Sequence, residues 1–386
     1  MRYLTITIVF ILLPTVFFAQ QTYVPDDNFE QALIDLGYDT TPLNDSVPTA
    51  NIDTVTFLQV DEKNISDLTG IEDFKTVRTI HCHKNELTTL ELNFNTNLKT
   101  LVCHNNKLTS LDLSNNPKLE FLYCRYNLLN RLDISKNINL SILSCSNNKL
   151  SDIDLSNNSD LEIFWCNNNN FSSFDLSNNS DLKSLFCSSN YNLKNLDLSN
   201  NENLGMLDCT NCNLISLDLS NNSSLTSMRC DSNKLISLDI RNGNNNNMIT
   251  LGAYYFNASE NPELTCIQVD DSAYSANHEN WLKDDHAVYS EDCGYTGVKA
   301  LNTFEPEISI FPNPADKNFT VSFELESPKT ITMTLTDLSG IELQEYTLEH
   351  RQFVNEEIDV SGLSAGVYFL NISFGNESIS RKIVVE

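Results

Sequence analysis

The chain has 386 residues, with 24 Lys+Arg against 52 Asp+Glu and a net charge of −28. That length points to two or three units, and so acidic a surface repels both nucleic-acid phosphate and anionic lipid. A hydrophobic content of 40% with 9% aromatics permits packed cores, while only 11 Gly and 10 Pro exclude a collagen-like or Pro-rich stalk.

Met1 and Arg2 precede a mostly apolar run from Tyr3 to Phe18, closed by Ala19. A positive start, a short apolar stretch and a small residue make a secretory signal over 1–19. The run is broken by Pro14 and is shorter than the about 20 residues of a membrane span. The expectation is an exported chain with no transmembrane segment after cleavage. Next, Asp27-Asn-Phe-Glu30 reads as a capping box opening a helix over 27–36, with Phe29, Leu33, Ile34 and Leu36 on one face.

A phrase then repeats. Leu98-x-x-Leu101-x-Cys103-x-x-Asn106-x-Leu108-x-x-Leu111-Asp112-Leu113-Ser114-x-Asn116 is one copy, and the next begins at Leu119. Later copies run through Asn158, Asn179, Asn201 and Asn222, and the last fades after Ile240. A fixed period of 21 residues is the mark of a stacked solenoid. Each copy holds two strand-like phrases, Leu-x-Leu/Cys and Leu-Asp-Leu, in which apolar and polar residues alternate. Each phrase is followed by an Asn whose amide can bond the turning backbone of one coil to the next. Cys212 stands where one of these Asn is expected, one residue is added at Asn190-Tyr191-Asn192, and Asn244–Asn247 interrupts the last copy and is expected to loop out.

Export invites reading the 11 cysteines as a disulfide framework. Their spacing argues otherwise. Cys82, Cys103, Cys124, Cys145, Cys166 and Cys187 are each 21 residues apart, with Cys209 and Cys230 continuing the series. This is a repeat position in the core. Cys293 lies outside it, which makes Cys266 and Cys293 the disulfide candidates. Leu264–Val269 reads as the last strand, and Tyr274–Asp285 as a helix around Trp281 that closes the solenoid.

After a linker at 294–307, short alternating strands are expected at 319–325, 330–335, 342–348, 353–360, 366–374 and 378–385, a small β-sandwich.

The repeat resembles the leucine-rich-repeat family, in its nested bacterial IRREKO-type subclass with the consensus LxxLxCxxNxLxxLDLSxNxx, over roughly 77–266. The opening coil, Ile65 to Phe74, resembles an internalin-type repeat. The final unit is similar to the type A C-terminal sorting domain of the type IX secretion system. Phe311-Pro-Asn-Pro314, Leu338-Ser-Gly340, Gly362–Leu370 and Arg381–Glu386 carry that likeness. It implies passage across the outer membrane of a Gram-negative bacterium, then surface display or release. The expected organisation is a signal at 1–19, a cap with the first repeat at 20–76, the solenoid at 77–270, a C-terminal cap at 271–293, the linker, and the sorting domain at 308–386. The expected fold class is mostly β, a solenoid with two short strands per coil and small helical caps, plus an Ig-like sandwich.

For function, no catalytic triad, phosphate loop or His-Glu-x-x-His is present, and neither a cofactor nor a metal is expected. His81 and His83 flank Cys82 and point to solvent, and His104 falls one coil on from His83; two stacked histidines are fewer donors than a metal site needs. The aspartates Asp112, Asp133, Asp154, Asp175, Asp197, Asp218 and Asp239 align on the second phrase. Carboxylates about 5 Å apart repel by roughly 3 kcal/mol at an effective dielectric of 20, so raised pKa values or cation attraction are expected unless Asp and Ser bond neighbouring coils. On the first phrase, Phe121, Tyr123, Ile142, Ile163, Trp165, Phe186 and Met206 point outward in two adjacent columns. Clustered exposed aromatics suit a protein or carbohydrate partner. This face varies from copy to copy while Asp-Leu-Ser stays fixed, which favours a binding protein over the alternative, a structural or adhesive spacer.

Overall fold

The computed structural model describes residues 20–248, 255–278, 280–294, 308–337, 341–374 and 377–385. The expected signal at 1–19, nearly all of the linker, residues 249–252 of the 242–252 interruption and the Leu338-Ser-Gly340 motif lie outside these residues. The chain divides into two compact units, Met1–Thr296 and Gly297–Glu386.

The first unit is a solenoid of about 11 turns. Among the described residues, its first phrases form a nine-stranded parallel sheet, from Phe57–Gln59 through Thr79–His81, Thr100–Val102, Phe121–Tyr123, Ile142–Ser144, Ile163–Trp165, Ser184–Phe186 and Met206–Asp208 to Ser227–Arg229. Each strand is three residues long, and only its middle residue points into the core; Leu101, Leu122, Leu143, Phe164 and Leu185 are fully buried. The second phrases pair as strands only late, at Ser216–Asp218, Ser237–Asp239, Cys266–Gln268 and Val288–Ser290. In earlier copies the same phrase joins no sheet.

Two asparagine ladders hold the coils in register. In the first, Asn127 Nδ2 donates to the Cys103 and Cys124 carbonyls at 3.1 and 3.0 Å, and its Oδ1 accepts from Leu108 N at 3.0 Å. One amide thus binds three backbone groups across two coils, as the donor–acceptor inventory of Asn permits. In the second, Asn116 Nδ2 donates to the Leu92 and Asn95 carbonyls. Its Oδ1 is buried without a protein partner, as are those of Asn95, Asn137, Asn158, Asn179, Asn201 and Asn222. Before each first-ladder turn one residue takes a left-handed backbone, as at Lys84, Asn105, Tyr126, Asn147 and Asn168, with φ between 53° and 57°. Asn, which tolerates that region best after Gly, fills three of these five.

The added residue at Tyr191 and the missing Asn at Cys212 explain each other. In neighbouring coils the residue two after the ladder Asn donates its N–H to the next coil's amide, as Phe171 N does to Asn190 Oδ1 at 3.1 Å. With one residue inserted, Leu193 N instead reaches back to Asn190 O at 3.0 Å. No amide oxygen is then required at 212, and Cys212 Sγ takes the remaining carbonyl, Cys187 O, at 3.4 Å.

The ends differ from expectation in detail. The helix spans Asp27–Asp35, but its N-cap is Asp26, whose Oδ1 accepts from Asn28 N and Phe29 N at 3.0 Å. Glu30 does not reach back to a cap; it is buried and accepts from Asn44 N and Asp45 N. Phe29, Ala32 and Leu33 make the buried face, whereas Ile34 is half-buried and Leu36 exposed. The other carboxylate oxygen of Asp26 accepts from Ser66 N, Ser66 Oγ and Asp67 N, tying the helix to the first coil. Burial pushes the Asp26 carboxyl up, but those hydrogen bonds outweigh it and hold the group below its ordinary value. Asp26→Ala is therefore expected to cost about 2 kcal/mol in a urea melt. The contribution should hold above pH 3.8, the ordinary aspartate value, and vanish as pH falls through the lowered one.

In the interruption after Ile240, Asn246 and Asn247 are exposed, while Asn245 is turned inward. Asn245 is 1% exposed; its Nδ2 donates to Ile240 O and its Oδ1 accepts from Asp270 N. Asn244 Nδ2 donates to Leu225 O in the preceding coil. In the closing cap the helix is only Ser272–Ala276. Cys266–Gln268 is followed by one further strand, Val288–Ser290. Between them Trp281 is buried and stacks on Phe256, with ring centroids 4.5 Å apart. A disulfide joins Cys266 and Cys293, whose Cα atoms are 5.8 Å apart.

The second unit is an antiparallel sheet of Ser309–Phe311, Asn318–Thr336, Glu342–Asp359, Gly366–Phe374 and Glu377–Val385. Four of the expected short strands merge into two long ones. Register shifts between Glu324 and Lys329 absorb the irregular stretch that reads as a break in sequence. Phe319, Val321, Ile331, Met333, Leu370, Ile372 and Ile383 form its core.

Candidate functional site: the first-phrase face of the solenoid

The strand register puts Phe121, Ile142, Ile163, Ser184 and Met206 in one column. It puts Tyr123, Ser144, Trp165 and Phe186 in the column beside it. The seven apolar residues named from the sequence point away from the core, yet all are half-buried. Strands about 4.8 Å apart let each side chain cover its neighbour. Trp165 and Phe186 stack with centroids 5.6 Å apart and planes 12° apart. Trp165 Nε1 donates to Ser184 Oγ at 3.1 Å, so the small residue that interrupts one column anchors the ring of the other.

Charged residues border this apolar centre on one flank and at the C-terminal end. Along one flank Lys99 pairs with Glu120, and Lys183 with Glu162 at 2.8 Å. Toward the C-terminal end Arg229 contacts Asp231 at 3.4 Å and lies over the Tyr255 ring at 5.9 Å. Toward the N-terminal end Phe57, 48% exposed, extends the first column and meets His81 edge-on at 5.2 Å.

The histidines are less exposed than their alternation suggests. His83 and His104 stack with centroids 4.5 Å apart. Burial, aided by His83, Arg125 and Lys84, pushes His104 down to about 4, which keeps its ring neutral. Asp61 stands one coil before His83, with Glu62 beside it, and the three can bring ligand atoms within 4.8 Å of one another. Asp61 and Glu62 escaped the sequence reading because the first coil is 22 residues long and lacks the Leu-x-Cys phrase. The spacings 61 to 83 to 104 were the available signal.

The aspartate column behaves differently from its expectation. Asp112, Asp133, Asp154 and Asp175 lie below their ordinary value, not above it. In each, hydrogen bonds from the Ser two residues on are the largest influence, as where Ser114 N donates to Asp112 Oδ1 at 2.9 Å, and at Asp112 and Asp154 they outweigh the carboxylates of adjacent coils. The bond is made within one coil, not between coils, and solvent screens the repulsion.

This geometry defines a class: a leucine-rich-repeat solenoid with buried asparagine and cysteine ladders, followed by a separate antiparallel β unit. No curated protein matches the chain closely enough to count as a relative. Residues 309–386 match the family described as the secretion system C-terminal sorting domain. Among solved structures the chain is similar to the functional domain of InlJ from Listeria monocytogenes, described as including a cysteine ladder. That likeness is 21% identical over 95% of this chain and 99% of that one, with a TM-score of 0.41. It is similar also to the internalin InlF of Listeria monocytogenes, 21% identical over 69% and 91% of the two chains, with a TM-score of 0.49. A leucine-rich-repeat protein of Leptospira interrogans is 17% identical over 61% and 62%, with a TM-score of 0.48. The sorting domain marks the protein for export to the surface or exterior of a bacterium.

Proposed function

We propose that the exported solenoid recognises a protein or carbohydrate partner non-covalently through Phe121, Tyr123, Ile142, Ile163, Trp165, Phe186 and Met206, while the C-terminal unit engages the type IX secretion machinery. The supporting observation is the pair of apolar columns, with Trp165 stacked on Phe186, bordered on one flank by Lys–Glu pairs. Aromatic rings already ordered by their neighbours lose little freedom on binding, which suits them as anchors.

The test replaces Tyr123, Trp165 and Phe186 together by Ser. Because the rings are half-buried against one another, stability is expected to fall by about 1–3 kcal/mol, leaving the solenoid folded by circular dichroism. Retention on a glycan array, or of a protein captured from the bacterium's surroundings, is expected to drop at least about a hundredfold, each ring being worth about 2 kcal/mol or more. Retention equal to the unaltered chain places recognition elsewhere and leaves the spacer reading standing. For export, a chain lacking 308–386 is expected to fold its solenoid and stay in the periplasm. Finding it at the surface in normal amount overturns the sorting role.

A further inference from the structure

We propose that Asp61, Glu62 and His83 bind one first-row divalent transition cation, of the zinc or nickel kind, beside the N-terminal end of the first-phrase sheet. The inference is independent of the recognition reading. His83 Nε2 and Asp61 Oδ2 stand 3.6 Å apart. That is too far for a hydrogen bond, but close to the about 3.4 Å that separates two donors each about 2.1 Å from a tetrahedral ion.

The other atoms of the pair also lack partners. Asp61 Oδ1 is buried with no hydrogen bond, in a side chain only 17% exposed, so this carboxylate keeps acceptor capacity for an ion; His83 Nδ1 is unpartnered too, but it points away from the Nε2 side and is not part of the site. A carboxylate and an imidazole this enclosed are ordinarily hydrogen-bonded.

Glu62 supplies the third donor. Its side chain is 57% exposed and pairs with the exposed Lys84 amine, and its carboxylate lies within 4.8 Å of the other two donors. One imidazole nitrogen with carboxylate oxygens suits zinc, nickel or cobalt, whereas calcium takes six to eight oxygens. Three protein donors leave one tetrahedral position open to water or to a donor from outside the chain.

The experiment titrates zinc into the full chain after chelator treatment, by calorimetry. The expected result is one ion per chain. His83→Ala and Asp61→Asn are each expected to weaken binding at least tenfold, and His278→Ala, whose ring packs against Tyr274 and Trp281, to leave it unchanged. Cobalt(II) gives a second readout that does not depend on affinity: a visible ligand-field band from the unaltered chain, absent from His83→Ala. No saturable zinc binding overturns the proposal. So does unchanged binding by His83→Ala and Asp61→Asn, which assigns the ion to thiols or other donors.

Discussion

Asn127→Leu is expected to destabilise the solenoid by about 3–5 kcal/mol. The substitution keeps approximate volume but strips the partners from Leu108 N and from the Cys103 and Cys124 carbonyls. Each buried backbone group left unpaired costs about 1–3 kcal/mol. The coil at Cys212 supplies the contrast. There the inserted residue has already redirected Leu193 N to Asn190 O, so Cys212→Asn is expected to change stability by less than about 1 kcal/mol. Urea melts of the two variants check both statements. A loss under about 1 kcal/mol for Asn127→Leu would falsify the ladder's energetic role.

The second large effect is alkaline. Nine free cysteines are buried among the described residues, and burial pushes the Cys82 and Cys124 thiols up to about 12. Those of Cys103, Cys145, Cys166 and Cys209 also lie well above the ordinary value. A group whose folded value is raised contributes its full stability below the unfolded value, 9.0 for these thiols. That contribution is lost as pH climbs from there through the folded value, because only the unfolded chain releases its protons. The solenoid is thus expected to hold its circular dichroism at pH 8 and to lose urea resistance steeply above pH 9. Below that range the thiols should alkylate slowly, the thiolate being the nucleophile. Cys212 is the exception; hydrogen bonding with Cys187 holds it low, and it should react first. Rapid labelling of most ladder cysteines at pH 8, or flat stability to pH 11, contradicts the picture.

Much of this was legible because a repeat shows its logic several times. A Leu, Cys or Asn recurring every 21 residues must occupy one environment, so the core and both ladders follow from spacing. What escaped was set by single events. Asp26 and Asp27 are chemically alike, and only backbone geometry selects Asp26 as cap. Asp112, Asp133, Asp154 and Asp175 were judged by their neighbours one coil away, when the Ser two residues on sets the direction of their shift. Asp61 and His83 meet because one irregular coil places them so, and no second copy repeats the hint. In the second unit the stretch around Pro328 has the composition of a turn, yet a register shift carries the strand through it. The seven outward residues could be placed from alternation alone. Their mutual shielding could not, since it depends on which small residue, Ser144 or Ser184, lies between them.

The reach of the ladder bonds also governs how the molecule folds. Asn127 bonds Leu108, 19 residues back, and Cys103, 24 back, and nothing farther. Every coil can close as soon as its predecessor exists, so loop-closure entropy stays small and constant along the array. Such a chain assembles like a zipper that starts anywhere and runs both ways. An exported protein that emerges end-first can order its early coils before the later ones arrive. A defect such as Asn127→Leu then works as a stall point, with intact coils on either side and amide exchange fastest at the break.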